Sequence, residues 1–213
     1  MAWFGRKNVM PSIDSLRFGT NGWKFHGKKE LGRMRLWETA DHDAISLHFF
    51  GVPPNLPIAK TVDEISAMYA SGLAAAGGKV VQCTIGELAR CDVVRLLLKV
   101  PQKPSGMMYQ GAVTVPFRDF SFVFKIQCPE EGTTGVREAI LFEKRLRAGE
   151  TPNVGRPSEP FPEWNPDAPE HDAAFPAHPI SRLRRLLKGI EDSAVLDEQI
   201  RGLPKFRLPG RTP

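Results

Sequence analysis

The segment RDFSFVFKIQC, residues 118–128, decides the fold because every second residue in its centre is aromatic or aliphatic. This apolar series consists of Phe120, Phe122, Phe124 and Ile126. Alternate side chains share one face of a β-strand, so the pattern predicts a strand with one strongly apolar face. Such a face is typical of an antiparallel sheet that is covered on one side.

Three further strands are predicted directly before this segment, and they extend the same sheet. They are expected at residues 79–87, 92–100 and 106–115. In the strand at 92–100, the inward series is expected to be Val94, Leu96, Leu98 and Val100, with Arg95 and Lys99 pointing outward. The link PFRD before the last strand is short enough for a hairpin turn.

A β-hairpin is predicted further upstream, from strands at residues 33–38 and 44–50. In the second of these strands Ile45, Leu47 and Phe49 alternate with more polar residues. The intervening TADHD has the composition of a turn, and the proline-rich GVPPNLPIA that follows ends the strand pattern.

Two helices complete this part of the chain. The first begins at a capping box formed by Thr61 and Glu64 and ends at Gly77-Gly78. Its apolar stripe consists of Ile65, Met68, Gly72, Leu73 and Ala76. The second helix is expected over residues 135–148, with an inner side formed by Val136, Ala139, Ile140 and Leu146.

Residues 150–178 form an acidic, proline-rich segment without periodicity. The segment contains six acidic residues and one basic residue, and its prolines favour an extended chain. Its aromatic residues Phe161, Trp164 and Phe175 are too apolar for a free linker. We therefore expect the segment to lie over the domain surface or over a partner.

Two short helices are predicted after this segment, at residues 180–190 and 193–201. The first carries an apolar stripe of Leu183, Leu186, Leu187 and Ile190, flanked by Arg182, Arg184, Arg185 and Lys188. The stripe indicates docking onto protein, either the chain's own sheet or a partner. The arginines then form the rim of a helical hairpin, and the acidic segment offers them a counter-surface.

The expected organisation is an α+β sandwich at residues 1–149, the extended segment at 150–178, and the helical hairpin with its tail at 179–213. The sandwich has the element order β-β-α-β-β-β-β-α. Its strand faces and helix stripes can pair in one structure, an antiparallel sheet sandwiched with helices.

The element order resembles the Mog1/PsbP-like sandwich, which includes DcrB-like and effector-chaperone domains. The resemblance covers about residues 20–147 and depends on AISLHFF, TVDEISAMYASGLAAAGG, and RDFSFVFKIQ followed by TTGVREAILFEKRL. Members of this group are mostly non-enzymatic adaptors, photosystem or lipoprotein accessory domains, and secretion chaperones. The resemblance therefore implies a protein-binding role.

The charge pattern argues against a nucleic-acid-binding surface. The net charge is only +5 over 213 residues, and the basic helix has no aromatic residue on its outer faces for stacking. No run approaches the roughly 18 apolar residues that span a membrane. Three cysteines without CxxC spacing, and an N-terminal stretch unlike a signal peptide, predict a cytoplasmic protein.

Candidate catalytic and metal-ligating residues form weak patterns. Asp41, His42 and Asp43 have the donor atoms for a divalent cation, but their position favours turn chemistry. Cys83 and Cys91 are expected to be buried thiols on neighbouring strands. The chain has no nucleophile elbow and no phosphate-binding loop motif, and no cofactor is expected.

These observations favour a non-enzymatic adaptor or chaperone that binds another protein, in its narrowest form an accessory of a bacterial secretion system. A toxin-neutralising immunity protein is the alternative within the binding class. A hydrolase or metal-dependent enzyme using Asp41, His42 and Asp43, or a Cys-His pair, is the alternative outside it. Homo-oligomerisation stays open. The predicted contact residues are Phe161, Trp164, Leu183, Arg184, Arg185 and Leu187, together with the sheet surface that no helix covers.

Overall fold

The computed structural model describes residues 10–57, 61–153, 155–156 and 158–210, and its centre is a seven-stranded antiparallel sheet. The strands are β1 (Leu16–Arg17), β2 (Lys24–Lys29), β3 (Met34–Glu38), β4 (Ala44–Phe50), β5 (Lys79–Leu88), β6 (Cys91–Pro101), β7 (Met107–Pro116), β8 (Ser121–Pro129) and β9 (Val195–Leu196). The helices are α1 (Val62–Ala74), α2 (Val136–Arg147), α3 (Pro179–Ser193) and α4 (Glu198–Arg201). The large sheet has the order β2-β3-β4-β8-β7-β6-β5, and β1 pairs with β9 separately.

The predicted α+β class is confirmed by the element order. The hairpin β3-β4, the helix α1, the four strands β5 to β8 and the helix α2 follow one another as expected, and β2 adds an edge strand beside β3. The turns between β5 and β8 join strands that neighbour each other in the sheet. The long connection through α1 carries the chain from β4, near one edge, to β5 at the other edge.

The main core lies between one face of this sheet and α3. The strand register places Leu47, Phe124 and Val113 side by side on this face, and all three are fully buried. The series predicted from residues 118–128 is buried here as well. The α3 stripe contributes the buried residues Ile180, Leu183, Leu187 and Ile190. Each side chain of this size that is removed from water contributes about 1.5–3 kcal/mol.

Gly111 allows α3 to approach the sheet closely. A β-carbon at this position would lie 2.8 Å from Cδ1 of Leu183 and 3.2 Å from Cδ1 of Leu187. Because these leucines are fixed in the core, they have little room to yield. Because Gly111 of β7 has no side chain, the sheet has the space at this position that α3 needs in order to pack against it.

The C-terminal elements pack on the chain's own sheet and not on a separate partner. Leu16 of β1 pairs with Leu196 of β9, and both are buried in the main core together with Ile200 of α4. The second predicted helix is shorter than expected, because β9 is drawn into pairing with β1. Only one helical turn, α4, then remains.

Helix α2 presents a different face from the one predicted. Val136, Ile140 and Leu146 are 42–47% exposed, whereas Arg137 and Leu141 are buried. The physical reason is that Arg137 has hydrogen-bond partners in the 166–181 region, which determine the side of the helix that turns inward. In α1, likewise, Ile65 is buried but Met68 is 41% exposed.

The two cations of strand β6, Arg95 and Lys99, face the side of the sheet opposite to the one predicted. Arg95 and Lys99 lie on the face covered by α3, where they pair with Glu191 and Asp167. The inward series predicted in this strand, represented by Leu96, faces the opposite side of the sheet. The carboxylates that neutralise these cations lie far away in sequence, so local alternation could not reveal them.

None of the helices in the described ranges is long and apolar enough to cross a lipid bilayer.

Replacement of Gly111 by alanine tests the close approach of α3. Because the new methyl group would overlap Leu183, we expect Gly111→Ala to lower the free energy of unfolding by about 1–3 kcal/mol. Gly189→Ala is the matched control, since no atom lies within 4 Å of its added β-carbon. That control should be neutral or stabilising by up to about 1 kcal/mol, because alanine favours a helix more than glycine does. Urea unfolding measures both; equal stabilities of the two variants would contradict this packing.

Candidate protein-binding face

The sheet face opposite α3 contains an open apolar groove of about 510 Å³. Its floor is formed by side chains that the strand register places in adjacent positions, including Leu96, Ala112 and Val123. Helix α1 forms one wall through Tyr69 and Leu73, and residues 51–56 form another. We refer to this concavity as the groove.

The groove has a polar rim with a single charge. Among the lining residues that the structure describes, Lys125 is the one ionic side chain, and Gln110, Gln127, Thr114 and Ser121 add neutral polar groups. Lys125 is exposed. Phe50 and Val52 of the same lining are 39% and 60% exposed, so apolar surface is open to solvent at the mouth of the groove. An apolar surface with a polar rim is typical of a recognition site.

The α1 wall is held in place by a cap and a small second core. Oγ1 of Thr61 accepts a hydrogen bond from the backbone N–H of Glu64 at 3.2 Å, which fixes the start of the helix. Below it, Ile65 packs with Val94 and Leu208 in a buried cluster. Burial raises the pKa of the Tyr69 phenol, which lies against the same cluster.

A second concavity, of about 790 Å³, lies on the other side of the molecule. It is formed by α2, the edge strand β5, its neighbour β6, and residues of the 150–178 segment. Trp164 and Phe142 supply its aromatic side, and Lys99 and Asp167 a charged pair. The pair is internal, with Nζ of Lys99 donating to Asp167 at 2.5 Å. The charges of this pair therefore satisfy each other.

The two predicted aromatic contact residues belong to the 150–178 segment and lie in an aromatic cluster between this segment and α2. Phe161 is 1% exposed and packs between Phe142 and Trp164, with the guanidinium of Arg145 4.8 Å from its ring centre. Trp164 is half-buried and lines the 790 Å³ cavity. The cluster attaches the proline-rich segment to α2, so Phe161 acts within the chain in this structure.

Of the four predicted contact residues of α3, two are leucines buried in the core and two are arginines bonded to the acidic segment. Leu183 and Leu187 are buried against the sheet, so they contact no partner in this conformation. Arg184 binds both oxygens of Asp172 at 3.0 Å and donates to the carbonyl of Asp167. Arg185 is exposed and donates to the carbonyl of Pro176 at 3.1 Å. The acidic segment is thus the counter-surface of these arginines within one chain.

Arg137, which sequence reasoning did not single out, lies at the centre of the contacts that join α2, the acidic segment and α3. We call this set of contacts the clamp. The Arg137 side chain is 1% exposed and donates to the carbonyls of Pro166 and Ala168, to Oγ of Ser181 and to Asp172. The guanidinium thereby joins α2, the acidic segment and α3. The sequence offered one weak indication that Arg137 would be buried: it lies in a helix that is followed by a segment rich in acidic residues.

His178 forms the N-terminal cap of α3 in its neutral form. Its Nδ1 accepts the backbone N–H of Ile180 at 3.3 Å, and its buried Nε2 has no hydrogen-bond partner within the described residues. Burial, reinforced by nearby Arg137, lowers the pKa of His178 to about 4. The ring meets that of Tyr109 edge-on at 5.2 Å, and burial with the neighbouring Asp167 raises the pKa of Tyr109.

The candidate metal ligands at residues 41–43 are separated by the turn that contains them. His42 adopts a φ of 58° and binds Oε1 of Glu38 at 2.8 Å. Asp43 points the other way, is buried, and binds Arg182 through both oxygens at 2.9–3.2 Å. No group of three or more metal-binding side chains occurs within the described ranges, which also contain Asp41.

Side chains capable of nucleophilic chemistry are likewise in structural positions. Cys83 is half-buried opposite Leu96, and Cys91 is buried beside the turn of the β5-β6 hairpin, opposite Leu88, so the two thiols do not face each other. Burial raises the pKa of Cys83. Ser46 and Nε2 of His48 lie 2.9 Å apart on the groove side of the sheet, and no described carboxylate orients this histidine. A catalytic triad is therefore not assembled there.

Comparison with known proteins finds similarity to solved structures alone. No family model and no curated protein matches it. The Ran-binding protein Mog1p of Saccharomyces cerevisiae is 9% identical, over 87% of this chain and 92% of that chain, with a TM-score of 0.48. A point mutant of Mog1 is 10% identical, over 91% and 97%, with a TM-score of 0.47. PsbP of the cyanobacterium Synechocystis is 12% identical, over 66% and 87%, with a TM-score of 0.41. The α+β class expected from the element order is confirmed by the strands and helices of this chain itself, and identities of 9–12% say nothing of partners.

Removal of the Arg137 side chain tests its role as the hub of the clamp. Because Arg137→Met leaves two buried carbonyls and Asp172 short of a donor, we expect a loss of about 3–5 kcal/mol in the free energy of unfolding. Arg137→Lys should recover little, since one ammonium group cannot reproduce the fork. Arg147→Met is the control on the same helix, because the Arg147 side chain is 77% exposed and pairs with Glu143 on the surface. It should change stability by no more than about 0.5 kcal/mol in urea unfolding; an Arg137→Met loss that small would contradict the assignment.

The neutral cap at His178 predicts a pH-dependent stability. The pKa in the folded chain, about 4, lies below the ordinary value of 6.5. The unfolded chain therefore binds more protons, and stability is complete above pH 6.5 and declines as the pH falls toward 4. Urea unfolding at pH 7.5 and pH 5 should show this loss in the wild-type chain. His178→Asn keeps a capping oxygen without a titratable ring, so its loss over the same interval should be smaller.

The control for this titration is His42→Asn. His42 is exposed, and its hydrogen bond with Glu38 raises its pKa, so its contribution has the opposite sign. Removal of His42 should leave the acid-side loss in place. A pH profile of His178→Asn that matches the wild-type profile would show that His178 is not the source of the loss.

Proposed function

We propose that this chain is a non-enzymatic protein-binding protein that receives an apolar segment of its partner in the groove. The groove itself is the observation that supports the proposal: an open apolar floor on the sheet face that α3 leaves uncovered, with exposed Phe50 and Val52 at its mouth. A partner segment that buries this floor gains free energy in proportion to the apolar area removed from water.

The partner segment is proposed to carry an acidic side chain next to its apolar residues. Lys125 is exposed at the rim of the groove, next to Ala112 of the floor, and its ammonium group forms no ion pair within the described part of the chain. Its register neighbours Ser46 and Ala112 are uncharged, so a carboxylate from the partner would meet no repulsion from them. Complementary charge then fixes the orientation of the segment in the groove.

The predicted contact surface shifts accordingly. Sequence reasoning combined the uncovered sheet surface with the proline-rich segment and α3. The proposal keeps the sheet surface, since Leu183, Leu187 and Phe161 are buried within the chain. Trp164 and Arg185 are more accessible, and they stay candidate contacts on a separate part of the surface.

The two narrower hypotheses, a secretion chaperone or adaptor and a toxin-neutralising immunity protein, both suit such a groove. They differ in the partner, so the partner's identity separates them. A chaperone would capture a segment of a secreted protein before export, whereas an immunity protein would cover the active surface of a toxin.

Site-specific photo-crosslinking in the native host tests the proposal. A photoreactive amino acid is placed at Gln110 or Gln127 in the groove, and at Gln199, an exposed glutamine of α4, as the matched control. We expect one protein adduct from the groove positions and none from Gln199. Lys125→Glu should reduce that adduct at least about tenfold, which corresponds to roughly 1.4 kcal/mol, whereas Lys144→Glu on the exposed surface of α2 should not.

Two results would contradict the proposal. The first is equal crosslinking from all three positions, which would indicate random contact. The second is turnover of a simple ester that Ser46→Ala abolishes, because it would make the Ser46–His48 pair a catalytic site.

A further inference from the structure

Residues 204–210, which we call the tail, cross the end of the sheet as an extended segment. Lys205 forms an antiparallel bridge with Phe117 in the turn between β7 and β8. The backbone N–H of Arg118 donates to the carbonyl of Pro204 at 2.9 Å, and the N–H of Phe206 donates to the carbonyl of Pro116 at 3.3 Å. The tail is therefore attached to the turn in the manner of a short added strand.

The tail places two apolar side chains two positions apart on the groove side of the sheet. Leu208 is 4% exposed and packs with Ile65 and Val94, and Phe206 packs against the same cluster. Lys205, between them and the turn, instead places its Nζ 4.0 Å from the ring centre of Phe117. This alternation is that of an extended chain with one apolar side.

The seat of these side chains is continuous with the groove. Leu56, Tyr69 and Val94 line the groove and also contact the cluster that contains Leu208. All three belong to the walls or floor at the end where the tail crosses. The tail thus fills one end of a longer apolar channel between α1 and the sheet.

We infer that the tail is a displaceable intramolecular ligand of the groove, and that the partner segment shares the spacing of its two apolar side chains. The inference rests on the proposed function and deepens it by naming the class of segment: an extended chain with an aromatic and an aliphatic residue two positions apart. Such a segment takes the seats of Phe206 and Leu208 while its neighbouring residues occupy the groove.

The tail buries fewer apolar side chains than α3 does, although Nζ of Lys205 also donates to Sγ of Cys91 at 2.8 Å. One of its side chains, Leu208, is almost fully buried, and Phe206 is only half-buried. By contrast, α3 buries a complete helical stripe in the main core. Segments with few buried apolar contacts open at lower free energy than the core, so the tail can detach while the sheet stays folded.

An intramolecular tail competes effectively with an external segment. A segment joined by a short connection has an effective concentration of about millimolar at its own site. An external segment of equal affinity must overcome this advantage in the intact chain. Loss of the tail should therefore raise the affinity of the groove for such a segment.

Binding of the tail sequence in trans tests the inference. A truncated chain ends at Pro204, which keeps the carbonyl that Arg118 needs and leaves α4 intact. The probe is a fluorescent peptide with the sequence PKFRLPG of residues 204–210, and binding is measured by fluorescence anisotropy. We expect saturable binding to the truncated chain that is at least about tenfold tighter than binding to the intact chain.

Matched controls define the specificity of this binding. A peptide with Phe206→Ser and Leu208→Ser should not bind, whereas a peptide with Arg207→Ala should bind unchanged, because Arg207 is exposed. An intact chain with Phe206→Ala and Leu208→Ala keeps the tail but lacks its two apolar side chains, and we call it the unlatched chain. It should bind the unmodified peptide as the truncated chain does. This second variant carries the test if truncation prevents folding.

The inference is overturned if the truncated or unlatched chain is folded and binds the peptide no better than the intact chain does. It is also overturned if neither variant folds, since the tail would then be a fixed part of the core. Crosslinking from Gln110 and Gln127 in the intact chain tests the proposed function independently. Crosslinks without peptide binding would retain the groove as a site and reject the tail as its ligand.

Discussion

The buried guanidinium of Arg137 is the constraint on which the arrangement of the C-terminal half depends. A charged group that is 1% exposed is stable only when its donors are satisfied, and the acceptors come from α2's neighbours: Pro166, Ala168, Asp172 and Ser181. These acceptors fix the path of the acidic segment, and the path delivers the chain to the start of α3. The position of α3 on the sheet is thus coupled to one side chain of a different helix.

This coupling explains why basic and acidic residues follow one another along the sequence. Arg184 shares Asp172 with Arg137, Arg182 binds Asp43, and other pairs join β6 to the same region. Paired in this way, Arg182 and Arg184 contribute little free positive surface, whereas Arg185 is exposed. The charge distribution alone already argued against a nucleic-acid role, and the ion pairs supply the geometric reason.

Local periodicity was sufficient to predict most strands and α1, because their apolar faces rest on the sheet that they form. It misassigned α2, whose exposed Val136 and Ile140 look like an inner stripe, because Arg137 is held inward by partners about 30–45 residues away. The cations of β6 were placed on the wrong face for the same reason. Of the candidate site, the uncovered sheet surface was predicted, but its exact walls were not, since Leu56 and Tyr69 reach it from segments outside the sheet.

The two faces of the sheet differ in how completely they are covered. The face under α3 is filled by large side chains and leaves space at Gly111 so that the helix can approach closely. On the opposite face the described helix α1 packs against the edge strand β5, and the floor around Ala112 stays open. An open apolar floor is unfavourable in water, and each segment that covers part of it lowers the free energy. The tail covers the end at Val94, and the uncovered part beside Lys125 is the surface whose burial a partner would make favourable.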